Sequence, residues 1–402
     1  MEKTKIISRP IYENKITPYI NKRLVKILTG QRRVGKSYIL KSIAQNILHK
    51  EQYANILYFN LEEFAFSHIK DSDALYNEIV KKIKLNKKNY IFIDEIQEVA
   101  DFDKVIRSLI LDEHNDVYIT GSNSRILSTE LSTLLAGRSY ELRIHPLSYS
   151  EFLLFHKKID TPESLQDYIR YGGLPYLIHL PETYTWNEYL TGVTDAVVFR
   201  DIISRHKIRN VDFLQRLLLF AADNIGQLYT SKKISDYLKS QRINISVAGV
   251  QNYVEYLEEA IIVNKARRWD IEGKRFFEIG EKLFFEDQGI RNSIIGYQPG
   301  HLSGLLENLI FNHLCIQGYK VKIGVLSKGH EVDFIAEKSG EIKYIQAALT
   351  ITEKETFDRE FGNLISISDN YEKLVITLND SAPNTYKGIR LISLREFLLS
   401  FN

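Results

Sequence analysis

Gly30-Gln31-Arg32-Arg33-Val34-Gly35-Lys36-Ser37 decides the reading of this chain. The spacing is G-x-x-x-x-G-K-S, the phosphate-binding P-loop or Walker A motif. Glycines let the backbone turn tightly, so that successive N–H groups point at the phosphates of a nucleotide. Lys36 is expected at the β- and γ-phosphates, and the Ser37 hydroxyl at Mg²⁺. The expected ATP-binding stretch is therefore Gly30, Gln31, Arg32, Arg33, Val34, Gly35, Lys36, Ser37 and Tyr38. The flanks agree. Val25-Lys-Ile-Leu-Thr29 is a short apolar, β-branched run, as a buried strand requires. After the loop, Ile39, Leu40, Ile43, Ala44, Ile47 and Leu48 recur at helical spacing. Strand, glycine loop, helix is the order that sets an anion on a helix N-terminus.

The chain has 402 residues, more than one ordinary core accommodates, so two to four domains are expected. Apolar residues make up 44% and charged residues 26%, the proportions of a soluble globular protein. A net charge of +2 excludes a strongly basic protein but not a local basic patch. The single cysteine, Cys315, rules out an intramolecular disulfide and fits a reducing cytoplasm. Met1-Glu-Lys-Thr-Lys leads into no apolar segment, so no signal peptide is expected. No run approaches the ~20 apolar residues that span a bilayer, so no membrane partner is expected.

Tyr90-Ile-Phe-Ile-Asp94-Glu95 is an apolar strand ending in two acids, the Walker B pattern. Asp94 would join Ser37 around Mg²⁺, and Glu95 would polarise the attacking water. Glu98 and Asp101 continue the acidic run, which a helix N-terminus would equally favour. Val117-Tyr-Ile-Thr-Gly121-Ser122-Asn123 is a further strand with a polar end. Its Gly-Ser-Asn tip reads either as a γ-phosphate sensor, Ser122 or Asn123, or as a capped turn. Strands are expected near 25–29, 54–60, 90–94, 116–121 and 139–145. Helices are expected at 36–49, 71–84, 102–112 and 124–136. Strands alternating with helices make a doubly wound α/β domain, with its ligand at the carboxyl ends of the strands.

The P-loop, Ile93-Asp-Glu-Ile-Gln97, Thr120-Gly-Ser-Asn123, Ala136-Gly-Arg138 and Pro146-Leu-Ser148 with Glu151-Phe152 together resemble the prokaryotic AAA-type ATPases with an AAA domain followed by a DUF4143 region. The resemblance covers nearly the whole chain. It implies an additional-strand (ASCE) P-loop fold close to the archaeal ATPase and STAND groups. In ring-forming ATPases an arginine placed like Arg138 is a finger on the neighbouring subunit's nucleotide, which would make a homo-oligomer; the alternative for Arg138 is a helix C-cap. In the resembling proteins a Gly-x-Pro element of the helical lid, here within Tyr171-Gly-Gly-Leu-Pro175, approaches the nucleotide. A plain helix–helix corner is the competing reading.

From about Val211 three short helices are expected, over Phe213–Ile225, Ser231–Lys239 and Ser246–Ala260. A ribbon follows, Ile261–Trp269 with Lys274–Glu278. This reads as a winged helix-turn-helix whose third helix exposes Ser246, Gln251, Asn252 and Tyr256. Lys265, Arg267, Arg268, Lys274 and Arg275 make the wing basic, suited to the phosphates of DNA. Glu255, Glu258 and Glu259 oppose DNA, and a protein partner is the alternative.

Toward the C-terminus come a helix with Glu307, a strand with Asp333 and a strand with Gln346. That order resembles the PD-(D/E)xK nuclease fold, whose acids hold Mg²⁺. Ala348 stands where the nuclease lysine belongs, so a degenerate site of Glu307, Asp333 and Gln346 is expected; Lys343, Lys320 and Lys322 are the candidate replacements.

The expected architecture is thus α/β: an AAA-type core (1–148), a helical lid (149–210), a winged helix (211–285) and a nuclease-like DUF4143 domain (286–402). The expected activity is Mg²⁺-dependent ATP hydrolysis by Glu95, Lys36, Arg138 and Ser122 or Asn123, gating a conformational change toward nucleic acid or a protein. A STAND-like nucleotide switch that controls oligomerisation and an ATP-regulated nuclease are the alternatives.

Overall fold

The computed structural model describes residues 6–85, 87–122, 135, 137–181, 184–326, 329–351, 354–379 and 384–400. Asn123 and most of the expected helix 124–136 lie outside them. The chain divides into two compact units, Met1–His145 with Glu259–Ile261 and Pro146–Glu258 with Ile262–Asn402.

The first unit is built on five strands: β1 (Val25–Thr29), β2 (Asn55–Asn60), β3 (Asn89–Asp94), β4 (Asn115–Gly121) and β5 (Ser139–Arg143). Around them lie α1 (Pro10–Ile16), α2 (Lys36–Lys50), α3 (Ser72–Val80) and α4 (Phe102–Leu109). The sheet is wholly parallel in the order β2-β3-β4-β1-β5. Strands β1, β3 and β4 are buried along their whole length, which is why they read as continuous apolar runs. Their core holds Ile27, Leu57, Phe59, Ile91, Ile93, Val105, Ile106, Val117 and Ile119. The decisive feature is the order: β4 lies between the P-loop strand β1 and the Walker B strand β3. In register, Thr29 pairs with Gly121 and Ile93 with Ile119, so the three strand ends form one row.

A buried ion pair lies inside this sheet. Lys26 and Asp116 are in contact, with side chains 0% exposed. Asp116 also accepts from the Tyr118 hydroxyl and the Asn21 N–H, each at 2.8 Å. Burial pulls the Lys26 ammonium below its ordinary range, although Asp116 opposes that. Removing one member leaves a buried charge, so Lys26→Met is expected to lower the unfolding free energy by about 3–5 kcal/mol in urea titration. The exposed Lys104–Asp101 pair should be silent in the same assay.

In the second unit the helices are α5 (Tyr149–His156), α6 (Pro162–Tyr171), α7 (Tyr184–Ala196), α8 (Val211–Asp223), α9 (Ser231–Ser240), α10 (Val247–Glu259), α11 (Gln288–Ile295), α12 (Leu302–Ile316), α13 (Lys354–Ile365) and α14 (Leu394–Ser400). The strands are β6 (Leu228–Tyr229), β7 (Val263–Asp270), β8 (Arg275–Phe285), β9 (Lys320–Val325), β10 (Glu331–Lys338), β11 (Glu341–Ala348), β12 (Glu372–Thr377), β13 (Asn384–Tyr386) and β14 (Ile389–Ser393). All nine join one sheet, β13-β14-β12-β11-β10-β9-β7-β8-β6. The ribbon β7–β8 is therefore not a free wing, because Arg268 to Asp270 of β7 pair with Ile323 to Val325 of β9. On α10, Ser246 just before it, Gln251 and Asn252 are exposed as expected. Tyr256 is not: its ring stacks on His206 at 3.8 Å. The Gly172-Gly173 corner is held within this unit. Gly172 has φ 77°, and its Cβ would meet the Asp287 carboxylate at 2.2 Å. Asp287 accepts from the Gly173 N–H at 2.7 Å, and Leu147 donates to the Gly173 carbonyl at 2.7 Å. Among the described residues no helix is long and apolar enough to cross a membrane.

Candidate active site

The loop between β1 and α2 is shaped by two glycines. Gly30 has φ 149°, and a Cβ there would lie 2.2 Å from the Ile144 carbonyl oxygen, so only glycine fits. Gly35 adopts the left-handed conformation (φ 95°, ψ 20°) and caps α2, whose first residue is Lys36. Fifteen residues of helix then aim their N-terminal N–H groups and dipole at the loop. The Lys36 ammonium, 4% exposed, donates to the loop carbonyls of Gly30 (3.0 Å) and Gln31 (3.1 Å) and lies 3.8 Å from Glu95. Arg9, absent from the sequence reading, sits behind the loop. Its guanidinium, 3% exposed as a residue, donates to the carbonyls of Val34 and His145, each at 3.0 Å. A lone arginine before a helix carries no motif that would have revealed this.

Strand order brings the Walker B acids to the same place. Asp94 is 1% exposed and accepts hydrogen bonds from Thr120, from Tyr58 (3.2 Å) and from Ser37. Burial holds its carboxyl above the usual carboxylate range, although the Thr120 and Ser37 hydrogen bonds work against that. Glu95 follows in the left-handed region (φ 57°, ψ 53°), its N–H donating to Thr120 Oγ1 at 2.9 Å. Burial opposes its charge, but Lys36, the Gln97 amide, Arg32 and Ser122 outweigh burial and hold the carboxyl below its ordinary value. Glu95 is therefore ionised at neutral pH, the form that can take a proton. Ser122, 0% exposed, accepts from Gln97 Nε2 at 3.3 Å. Thr120 and Gln97 stood inside the quoted motifs without a role.

The residues fit a nucleotide with Mg²⁺. Ser37 and Asp94 supply adjacent hard oxygens, as Mg²⁺ requires, leaving the rest of its shell to phosphate and water. Gln31 is wholly buried, and among the described residues neither amide atom has a hydrogen-bond partner. Of the other expected contacts, Val34 is buried, whereas Arg33 is exposed and Tyr38 is 50% exposed. Arg32 lies 3.2 Å from Glu62. Arg138 is exposed where the chain enters β5, its carbonyl accepting from Val25.

In the second unit Asp333 and Gln346 do meet: Gln346 Oε1 accepts from the Asp333 N–H at 2.8 Å. Glu307 joins Asp333 through Lys282 of β8, whose ammonium is 3.0 Å from Glu307, 2.6 Å from Glu331 and 3.8 Å from Asp333. Burial pushes both carboxyls, Glu307 and Asp333, above the usual range, helped by repulsion from Asp333 at Glu307 and from Glu360 and Glu331 at Asp333. None of the lysines expected to replace the missing one is here. Lys343 pairs with Glu341 and Glu372, and Lys322 with Glu337; Lys320 is exposed on β9. Lys282 enters because β8 shares the sheet, a pairing the sequence pattern does not encode.

Residues 22–153 match the model of an AAA domain. Residues 162–300 match a domain of unknown function, DUF8612. An uncharacterized protein of Haemophilus influenzae is 36% identical, over 98% of this chain and 99% of that protein. Another, of Methanocaldococcus jannaschii, is 31% identical over 94% of this chain and 86% of its own length. Among solved structures, a Walker-type ATPase of Pyrococcus abyssi aligns with a TM-score of 0.52 at 15% identity. It covers 72% of this chain and 96% of that one, a likeness of fold.

Proposed function

Because this chain belongs to the prokaryotic AAA-type P-loop ATPases, we propose that it is a Mg²⁺-dependent ATP hydrolase whose turnover gates a conformational change. The observation that carries this is the convergence of Lys36, Ser37, Asp94 and Glu95 at one row of strand ends. In this reading the loop N–H groups and Lys36 bind the β- and γ-phosphates, while Ser37 and Asp94 hold Mg²⁺, which neutralises developing charge. Glu95 takes the proton of the attacking water. Ser122 is the sensor on the γ-phosphate side, supported by its burial beside Gln97. Arg138, being exposed, is a candidate finger toward a second copy.

For the partner, the helix–ribbon order of α8 to β8 supports a winged helix. Its cations are partly engaged: Lys265 pairs with Glu258, Arg275 with Asp270, and Arg267 stacks on Phe276. We read the Lys282 cluster as a neutralised ion network rather than a nuclease centre, since an ammonium already occupies the space among its carboxylates.

The test is steady-state ATP turnover of the full chain with Mg²⁺ or with EDTA, and with single- or double-stranded DNA across salt. Turnover is expected with Mg²⁺ and lost with EDTA. Stimulation by DNA that fades as salt rises assigns the partner to nucleic acid; a rate indifferent to DNA assigns it to protein.

A further inference from the structure

We infer that Gln97 positions the attacking water of this site together with Glu95; the inference rests on the ATPase reading above. Gln97 lies in the short helical turn Ile96–Glu98, two residues after Glu95. Its Nε2 donates both to Glu95 Oε2 and to Ser122 Oγ. One amide thus ties the Walker B glutamate on one strand end to the polar tip of β4. The amide orientation follows from charge: turned over, its oxygen would face the Glu95 carboxylate, acceptor against acceptor.

That orientation leaves Gln97 Oε1 as a second acceptor, one amide width from the carboxylate. Oε1 is buried and has no hydrogen-bond partner among the described residues. A tie whose only purpose was structural would have its acceptor matched, because a buried acceptor left unmatched loses its hydration without compensation. A second strained feature lies beside it. Glu95 is a non-glycine residue held at φ 57°, a sparsely populated conformation that persists where the surroundings impose it. Unmatched polarity and backbone strain within three residues mark a position shaped for a ligand atom.

The geometry explains what two acceptors achieve. A water held by Glu95 alone turns freely about one hydrogen bond. When one O–H donates to Glu95 and the other to Gln97 Oε1, both directions are set and the lone pair faces the γ-phosphorus. The water oxygen then bonds to phosphorus, and the bond from phosphorus to the β–γ bridging oxygen breaks. That electron pair leaves with ADP, and the water's proton passes to Glu95.

The test uses Gln97→Leu, which keeps the bulk and removes the amide, with Gln97→Met as a second variant should the first fold poorly. Measured are ATP turnover, ATP affinity and Tm, alone and combined with Glu95→Gln. Expected is a fall in kcat of about 10–100-fold, with ATP Kd unchanged. Added to Glu95→Gln, the substitution should cost nothing more, because both act on one water. A kcat near wild type, an equal loss of affinity and turnover, or the same fold-loss in the Glu95→Gln background would overturn the inference. If the wild-type chain turned over no ATP, the ATPase reading would fall first. If Glu95→Gln stopped turnover and Gln97→Leu did not, only this inference would fall.

Discussion

Lys36→Ala is expected to remove ATP binding. The ammonium is almost wholly buried at the loop and faces its carbonyls and Glu95. With nucleotide present, phosphate oxygens are the stronger partners for it. Hydrogen bonds to charged groups contribute about 1.5–3 kcal/mol each. Losing two of them weakens affinity by about 10²–10⁴-fold, below detection in a titration calorimeter or by fluorescent-nucleotide anisotropy. The substitution also takes from buried Glu95 the cation that chiefly offsets its charge, so Tm must be followed in parallel and Lys36→Met, which keeps the apolar stem, included. A folded Lys36 variant with wild-type ATP affinity would end the P-loop assignment.

Glu95→Gln should separate binding from chemistry. The amide has the shape of the carboxylate and leaves the left-handed backbone at residue 95 in place. It cannot accept the proton of water, and general-base contributions are about 10²–10⁴-fold. Turnover is expected to fall by that factor. ATP affinity should hold or tighten, because Lys36 loses a competing anion 3.8 Å away. Rapid-quench measurement of ATP cleavage with an independent Kd checks both halves. Wild-type turnover in this variant would remove Glu95 from the role of base and hand the proton of water to another group.

Much of the ATP site was legible because its signals are local. The glycines at 30 and 35 are demanded by a carbonyl 2.2 Å away and by a left-handed cap, conditions that hardly any other residue satisfies. Continuous apolar runs marked β1, β3 and β4 as buried parallel strands, and their observed bounds differ from the expected ones by a residue or less. Less legible was everything made by pairing between distant segments. Thr120 was only part of a quoted motif, yet it donates to Asp94 and accepts from Glu95. Tyr58 and Arg9 gave no signal at all. In the second unit, Tyr256 looked like an exposed face of α10 by periodicity, but a histidine about fifty residues earlier covers it.

The sequence by itself determined the phosphate loop, the two acids, the α/β class of the first unit and two acids of the C-terminal cluster, Glu307 and Asp333, since motif chemistry and side-chain period are carried by a few neighbouring residues. Only the tertiary structure decided that β4 separates β1 from β3, and so that Thr120 and Ser122 meet the Walker acids. It alone joined the β7–β8 ribbon to the C-terminal strands and set Lys282 among Glu307, Glu331 and Asp333. The physical reason is common to both. A strand's apolar pattern says that it is buried, but which strand lies beside it is settled by closing long loops and packing whole faces, and no local pattern records that outcome.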